Sequence, residues 1–317
     1  MKGIWLEKNQ LQLRTDLPIP QPPEGEILVK VLRAGICNTD LELIRGYYPY
    51  QGVLGHEFVG MVVEGPKHLM NQRVVGEINA ACGYCRFCLQ GKPTHCENRT
   101  VLGIVNRDGA FAEYLCLPEK NLHVVPEDVT TDAATFTEPI AAALEIQAQV
   151  KVTPEDRVLV VGDGKLGQLI GQTLALTGCD LLVVGRHKDK LGYLSTRGIK
   201  TGLANIVQDR QFDIAVDCTG NPEGFSIARR ALRPRGILVL KSTYAGNLSL
   251  DASALVVDEI TLIGSRCGEF APALELLATN RIDVTPLIHG TYPLSQGLIA
   301  FEKAQSKGVL KILLEMN

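Results

Sequence analysis

Short apolar runs separated by proline and glycine clusters characterise roughly the first 138 residues. Residues 27–32 and 58–63 are two of these runs, and residues 18–25 form one of the breaks. Runs of this length and spacing are typical of strands joined by irregular loops. The pattern predicts a β-rich, barrel-like domain with inserted loops.

The pattern changes near residue 150. An apolar run at 157–161 is followed by a glycine-rich loop, a predicted helix at 168–177 and a second run at 181–184. This order of strand, loop, helix and strand is a βαβ unit. Later apolar runs predict further strands within residues 213–220, 236–240 and 261–264. The alternation predicts a doubly wound parallel sheet that binds its ligand at the carboxyl ends of the strands.

The last segment returns to mixed character, with predicted helices at 271–280 and 294–305 and a predicted strand at 309–314. It is too short to be a domain alone, so we expect it to complete the first domain. The predicted fold class is therefore α/β, a β-rich domain plus a doubly wound parallel sheet. The predicted boundaries are 1–140, 141–263 and 264–317.

The glycine-rich loop has the form G-x-G-x-x-G, with glycines at Gly162, Gly164 and Gly167. It stands between a predicted strand and a predicted helix, which is the context that this motif requires. The glycines let the backbone approach a pyrophosphate, whose charge is stabilised at the helix N-terminus. The loop predicts a dinucleotide site. Asp163 is an unexpected carboxylate there, and we expect its side chain to point away from the phosphates.

Gly185 ends the second strand of this unit, where an NAD enzyme places Asp or Glu against the ribose diol. Arg186, His187 and Lys188 follow it. Loss of the carboxylate and gain of cationic groups suit a 2′-phosphate, so the turn predicts NADP(H) over NAD(H), with NAD(H) as the alternative. A second interpretation of this turn is a solvated basic segment with no cofactor role.

Four cysteines within fifteen residues have the spacing C-x2-C-x2-C-x7-C. Side chains at this spacing can converge on one tetrahedral centre, whereas disulfides between such close neighbours would be strained. Because four thiolates leave no position for water or substrate, this pattern predicts a structural zinc. The predicted ligands are Cys82, Cys85, Cys88 and Cys96.

A second combination joins Cys37 to His56 and Glu57, with Asp40 close in sequence to the cysteine. A thiolate and an imidazole with carboxylates beside them are the ligands of a zinc ion that keeps an open position for substrate. Taken singly, Cys37 is more simply interpreted as a core cysteine and His56 as a hydrogen-bonded histidine, and only the combination of motifs favours ligation.

Composition restricts the partners. The 317 residues are 45% hydrophobic and 21% charged, with a formal net charge of −3, which is typical of a globular protein. Lys and Arg form no block, so we expect neither nucleic acid nor a membrane surface as a partner, but a small molecule. The N-terminus lacks the apolar core of a signal peptide, and we expect a cytoplasmic protein. The remaining four of the nine cysteines are interpreted as buried core residues.

Together these motifs resemble the zinc-dependent medium-chain dehydrogenase/reductase superfamily of alcohol, polyol, threonine and glucose dehydrogenases. The resemblance runs nearly end to end. Its motifs are G-I-C-N-T-D at 35–40, G-H-E at 55–57, the cysteine segment at 82–96, E-P at 138–139, the glycine loop at 162–167 and G-V-L-K at 308–311. It implies a GroES-like catalytic domain, a Rossmann domain, two zinc ions per chain and reversible hydride transfer between an alcohol and NAD(P).

The resemblance also implies roles for residues of the zinc site. Cys37 and His56 would be catalytic zinc ligands, and either Glu57 or Glu138 would complete the coordination. Asp40 would orient His56. The Thr39 hydroxyl would pass the alcohol proton towards solvent. Without the resemblance, a threonine bonded to local backbone and a surface glutamate at a helix start are the simpler interpretations of Thr39 and Glu138.

The cofactor residues include a lysine on the last strand, Lys311, which by the resemblance would lie near the cofactor phosphates. The full predicted set is Gly162, Gly164, Lys165, Leu166, Gly167, Gly185, Arg186, His187, Lys188, Thr219 and Lys311. Relatives of this kind are dimers or tetramers, so we expect a homodimer or homotetramer.

The substrate class implied by Glu138 in place of a cysteine is a secondary alcohol, polyol, sugar or amino alcohol, or the matching carbonyl. Two other functions remain open. A zinc-independent quinone or enoyl reductase of the same superfamily would keep the glycine loop, and a non-catalytic protein could bind NADPH on the same fold.

Overall fold

A computed structural model describes residues 1–243 and 247–316. The chain divides into two compact units, one formed by Met1–Glu138 with Phe270–Asn317 and the other by Pro139–Glu269. The second unit extends past the predicted boundary at 263. The backbone N–H of Ser265 donates a hydrogen bond to the carbonyl of Leu240 (3.0 Å), which keeps the chain attached to this unit beyond its last strand.

The elements are numbered in chain order. The strands are β1 (Gly3–Glu7), β2 (Gln10–Arg14), β3 (Glu26–Gly35), β4 (Gly52–Val53), β5 (Glu57–Glu64), β6 (Arg73–Gly76), β7 (Asn79–Ala80), β8 (Thr100–Val101), β9 (Tyr114–Pro118), β10 (Leu122–Val124), β11 (Arg157–Val161), β12 (Asp180–Gly185), β13 (Lys200–Leu203), β14 (Phe212–Asp217), β15 (Leu232–Leu240), β16 (Thr261–Gly264), β17 (Ile288–Pro293) and β18 (Lys311–Glu315). The helices are α1 (Asn38–Ile44), α2 (Arg86–Leu89), α3 (Thr131–Ala134), α4 (Thr137–Gln149), α5 (Lys165–Ala175), α6 (Lys188–Ser195), α7 (Pro222–Ala231), α8 (Ala252–Val257), α9 (Phe270–Ala278) and α10 (Gly297–Ala304).

The main sheet of the first unit has the order β10-β6-β5-β3-β18-β17, and β9 also pairs with β3. Its strands pair antiparallel except for β17 with β18, which are parallel. Side chains of β9 alternate between buried and half-buried, as expected for a sheet with one face on the core. Because β18 pairs with β3, the C-terminal segment belongs to the first unit.

The second unit contains a parallel sheet of order β13-β12-β11-β14-β15-β16. In the unit's own numbering this order is 3-2-1-4-5-6, so the strand order reverses between β11 and β14. Its inner strands are apolar along most of their length because helices such as α5 and α7 pack on them. The predicted fold class, a β-rich GroES-like domain plus a Rossmann sheet, is confirmed.

Some predicted helix ends differ from the structure. Helix α5 begins at Lys165, three residues before its predicted start, because Gly164 is the N-cap and the chain becomes helical directly after the loop. Residues 294–305 form a 3₁₀ turn, Leu294–Gln296, followed by α10. Within 1–243 and 247–316, no helix has the length and apolar character needed to cross a membrane.

Candidate active site

Strand pairing in the first unit brings the cysteine and histidine segments together. Cys37 follows β3, His56 precedes β5, and Gly35 is paired with Glu57 in the register of these antiparallel strands. Gly35 permits this approach, since a Cβ on it would lie 2.7 Å from Glu57 Oε2. The ligand atoms of Cys37, His56 and Glu57 all lie within 4.8 Å of one another. We call this group the Cys37 cluster.

A buried carboxylate positions two members of the cluster. Asp40 is fully buried in the first turn of α1, where its Oδ2 accepts a hydrogen bond from the backbone N–H of Cys37 (2.8 Å). Its Oδ1 lies 3.3 Å from Nδ1 of His56. An imidazole held through Nδ1 presents Nε2 as the ligand atom, which is a common arrangement of zinc-binding histidines. Asp40 therefore orients the ring and fixes the start of the cysteine-bearing turn.

The His56 pKa reflects these neighbours. Burial lowers the pKa, but the charge and hydrogen bonding of Asp40 and the Cys37 sulfur raise it by more, so that the pKa lies well above its usual value. A zinc ion requires the neutral imidazole and must therefore displace a proton here.

A lysine from the far end of the chain joins the cluster. Lys311 is the first residue of β18, and its Nζ donates a hydrogen bond to Oε2 of Glu57. Both side chains are almost fully buried, with 3% and 1% of their surface exposed. Burial lowers the pKa of Lys311, but the charges of Glu57, Cys37 and Glu138 raise it by more, so the lysine is a buried cation. The structure thus gives Lys311 a protein partner, Glu57, and its contact with the cofactor phosphates stays a prediction.

The two other residues assigned to this site lie close to it. Thr39, in the first turn of α1, has its Oγ1 3.8 Å from the Cys37 sulfur. Glu138 lies in the first turn of α4 and is half-buried. Glu138 is not a member of the Cys37 cluster, but its charge helps to raise the pKa of Lys311.

The donor set of the Cys37 cluster fits a zinc ion. One sulfur, one imidazole nitrogen and one carboxylate oxygen are ligand types that catalytic zinc sites combine, and such sites leave a fourth position open. The three atoms lie close enough to contact a common ion. A carboxylate oxygen lies 3.3 Å from the second nitrogen of the histidine, where a supporting carboxylate is expected around a zinc-binding histidine.

The four-cysteine segment forms a separate cluster, which we call the thiol lobe. Its sulfur–sulfur distances are 3.4 Å for Cys82–Cys96, 3.5 Å for Cys85–Cys88, 3.8 Å for Cys85–Cys96 and 4.0 Å for Cys82–Cys88. Four sulfurs placed about 2.3 Å from a tetrahedral centre are about 3.8 Å apart. These distances exclude disulfides, whose sulfurs are about 2.05 Å apart. The thiol lobe therefore fits a four-coordinate zinc.

Backbone N–H groups also favour the thiolate form of a cysteine in the thiol lobe. Burial raises the pKa of Cys82, but hydrogen bonds from the backbone N–H groups of Tyr84 and Cys85 and from neighbouring side chains outweigh it and lower the pKa to about 6. The thiolate is the form that binds metal, and this sulfur is largely ionised at neutral pH.

The glycine loop of the second unit has the geometry of a phosphate cradle. Gly162 has φ of 133°, which side-chain-bearing residues rarely adopt, and a Cβ on Gly167 would overlap the carbonyl oxygen of Gly162. A Cβ on Gly164 would meet nothing within 4 Å, so open space lies at the start of α5. The loop follows β11 at the carboxyl edge of the sheet, beside the reversal of strand order. These features fit a dinucleotide pyrophosphate.

Thr219 and the basic turn after β12 lie at the same edge. Thr219 follows β14, and its Oγ1 donates a hydrogen bond to Oδ1 of the buried Asp217 (2.7 Å). Arg186 and Lys188 are exposed beside the end of β12. Asp163 turns towards this strand, and the backbone N–H groups of Arg186 and His187 donate to its Oδ2. The sequence had indicated only that Asp163 points away from the phosphates.

Comparison with known proteins agrees with this architecture. The family pattern described as Alcohol dehydrogenase GroES-like domain matches residues 23–127, and that described as Zinc-binding dehydrogenase matches residues 166–279. The chain thus has the two parts of a zinc-binding dehydrogenase. It belongs to the zinc-dependent medium-chain dehydrogenase/reductase superfamily and is an oxidoreductase of the alcohol dehydrogenase type, as the sequence motifs predicted.

Relatives cover nearly the whole chain. An L-threonine 3-dehydrogenase from Saccharopolyspora erythraea is 30% identical over 95% of this chain and 94% of its own length. A D-arabitol-phosphate dehydrogenase from Enterococcus avium is 27% identical over 95% of this chain and 93% of its own length.

Among solved structures, a zinc-binding dehydrogenase from Sinorhizobium meliloti bound to NADP has a TM-score of 0.91 at 26% identity, covering 99% of each chain. An alcohol dehydrogenase from Escherichia coli complexed with NADH has a TM-score of 0.89 at 28% identity, covering 100% of this chain and 99% of its own. The superfamily therefore includes structures with either nicotinamide cofactor.

Proposed function

We propose that this chain catalyses reversible hydride transfer between an alcohol carbon and the C4 atom of a nicotinamide cofactor, with a zinc ion at the Cys37 cluster. The single observation that carries the proposal is the convergence of the Cys37 sulfur and the His56 ring, with the Asp40 carboxylate 3.3 Å from Nδ1 of the histidine. The substrate class is a secondary alcohol, polyol, sugar or amino alcohol. The names of the arabitol-phosphate and threonine dehydrogenases among the relatives support this class.

The chain's own residues have distinct roles in the proposed reaction. A zinc ion would supply Lewis-acid chemistry towards the alcohol or carbonyl oxygen. Asp40 keeps the His56 ring fixed, so that the site is preorganised rather than assembled during turnover. The Thr39 hydroxyl, beside the Cys37 sulfur, takes the proton lost from the alcohol and passes it to solvent while the hydride leaves the carbon.

The two carboxylates near the cluster have different roles in this proposal. Glu57 already holds the buried ammonium of Lys311, which competes with a metal for the same carboxylate. Glu138 is close enough for its charge to act on that lysine, and it is half-buried rather than sealed in the core. We therefore assign Glu138 as the carboxylate that completes the zinc coordination and Glu57 as the partner of Lys311.

The thiol lobe holds a second, structural zinc in this proposal, which gives two zinc ions per chain. The cofactor is NAD(H) or NADP(H). The sequence of the basic turn after Gly185 favours NADP(H), whereas the Asp163 carboxylate bonded to that turn favours NAD(H). A homodimer or homotetramer and a cytoplasmic location stay predictions.

A panel of alcohols and matching carbonyls, assayed with both nicotinamide cofactors, tests this function. We expect turnover of at least one polyol, amino alcohol or secondary alcohol, abolished by a strong chelator and restored by zinc. In the same assay Thr39→Ala should retain zinc and cofactor but lose turnover, most strongly at low pH, where the proton leaves least readily. Activity that survives complete zinc removal would instead indicate a zinc-independent reductase. Cofactor binding without any turnover would indicate a non-catalytic protein.

A further inference from the structure

A carboxylate occupies the end of strand β12 although that strand ends in glycine. Asp163, from the glycine loop, reaches across to the turn after Gly185. The backbone N–H groups of Arg186 and His187 each donate to its Oδ2 at 2.7 Å, and Nδ1 of His187 lies 3.1 Å from both of its oxygens. Only 9% of the Asp163 side chain is exposed. The carboxylate is therefore fixed at this position.

Gly185 makes room for this carboxylate. A Cβ on Gly185 would overlap the Asp163 side chain, with the carboxylate carbon and one oxygen among the overlapping atoms. The backbone of Gly185 does not have positive φ, so its conformation does not require glycine. Glycine is required at this position because the Asp163 side chain leaves no room for a Cβ. The Asp163 carboxylate thus occupies the volume into which a side chain of the last β12 residue would project.

In dinucleotide-binding folds of this topology, an Asp or Glu at the end of the second strand accepts hydrogen bonds from the ribose hydroxyls of NAD. We propose that Asp163 supplies this carboxylate from the glycine loop and makes the chain select NAD(H) over NADP(H). The inference rests on the proposed function, because it concerns the cofactor of the same reaction. It reverses the preference that the sequence of the turn indicates.

The charges around the turn support this assignment. Burial raises the pKa of Asp163, but hydrogen bonds from the backbone and ring of His187 and from the backbone of Arg186 outweigh it and lower the pKa. The group is therefore an anion at neutral pH and repels the 2′-phosphate of NADP. It also engages the two N–H groups that could otherwise donate to that phosphate.

The opposing groups are the side chains of Arg186 and Lys188, which are exposed and positively charged. Solvent screens cations at such positions, whereas the Asp163 anion is nearly buried and held by three donors. The ring of His187 faces Asp163 rather than standing apart as a third cation of the turn. The fixed anion therefore outweighs the two exposed cations in the choice of cofactor.

Calorimetric titration with NADH and with NADPH tests the inference without depending on turnover. The wild-type protein should bind NADH at least about tenfold more tightly than NADPH, which corresponds to one hydrogen bond to a charged group. Asp163→Asn should reduce this ratio by about tenfold, chiefly by tightening NADPH binding. Asp189→Asn, which removes an exposed carboxylate from the first turn of α6, is the matched control and should leave the ratio unchanged.

Moving the carboxylate from position 163 to position 185 tests whether it selects the cofactor or only stabilises the turn. Gly185→Asp alone should destabilise the fold, because its side chain overlaps Asp163. The double variant Asp163→Gly with Gly185→Asp removes the overlap and should restore both the melting temperature and the NADH preference, since a carboxylate again lies at this position.

Tighter wild-type binding of NADPH, or an unchanged ratio in Asp163→Asn with an unchanged melting temperature, would overturn the inference while leaving the dehydrogenase function intact. A double variant that folds but prefers NADPH would also overturn it. Failure to bind either cofactor would remove the proposed function itself and this inference with it.

Discussion

The Cys37 cluster and the thiol lobe both gather zinc-type ligands, but the chain builds them in different ways. The thiol lobe takes four sulfurs from one segment of fifteen residues, and all four ligands are of one kind. The Cys37 cluster takes its atoms from the ends of two paired strands and adds a lysine from the last strand. Four thiolates fill the coordination of a zinc ion and suit a structural site. A mixed set of sulfur, nitrogen and oxygen ligands that leaves one position open suits a catalytic site.

The largest expected difference between the two clusters is seen when each loses one cysteine. Cys37→Ser should lower activity roughly a thousandfold or more, because it removes several kcal/mol of Lewis-acid stabilisation, and should reduce the zinc content from two ions per chain to one. Cys96→Ser should remove the other zinc and lower the melting temperature while the zinc at the Cys37 cluster is retained. Elemental analysis, activity assays and thermal unfolding measure these effects.

Cys116→Ser is the control for this pair, because Cys116 lies in the same unit, on β9, but outside both clusters. It should change neither zinc content nor activity. Two zinc ions retained in Cys37→Ser would contradict the ligand assignment, and loss of both ions in either variant would contradict the independence of the two clusters.

A smaller but still large effect is expected from the buried ion pair that only the Cys37 cluster contains. Lys311→Met leaves the carboxylate of Glu57 buried without its cation, which should cost about 3 kcal/mol of unfolding free energy in zinc-depleted protein. Adding Glu57→Gln removes the uncompensated charge and should recover more than half of that loss. Urea denaturation measures both values.

Lys307→Met is the control for the ion pair, because Lys307 is exposed and near in sequence. It should change the unfolding free energy by less than about 0.5 kcal/mol. If Lys311→Met were equally mild, or if the double variant were less stable than the single one, the pair would not have the structural role assigned to it.

The contrast between the clusters also explains which features the sequence could predict. The convergence of the four thiol-lobe cysteines was predictable because they are close in sequence and their spacing alone implies a tetrahedral centre. The Rossmann sheet was predictable because its strands are continuous apolar runs separated by helices, which reflects burial on both faces. In both cases the information lies within a short stretch of chain.

Contacts between distant residues could not be predicted in the same way. The pairing of Lys311 with Glu57 depends on β18 lying beside β3, and no local pattern encodes this register. By the family resemblance the sequence predicts a position near the cofactor phosphates for Lys311, and it gives no sign of the contact with Glu57. The position of Asp163 depends on space that opens only when β11 and β12 are adjacent. An aspartate inside the glycine loop, combined with glycine at the end of the second strand, was the available signal.

The smallest of these effects is expected at Asp40, which acts on the metal through His56. Asp40→Asn keeps the size of the side chain but removes the charge that orients the ring, so zinc affinity should fall by about 10- to 100-fold. The same charge raises the pKa of His56, which means that a proton competes with zinc up to a higher pH in the wild type. Its removal lowers that pKa, so the pH midpoint for zinc binding should move downwards although the maximal affinity is weaker.

Zinc titrations across pH measure both quantities, with Asp132→Asn, in α3, as a control that should shift neither. A change in affinity without a downward shift of the midpoint would mean that Asp40 supports only the local backbone, through its bond to Cys37, and not the imidazole.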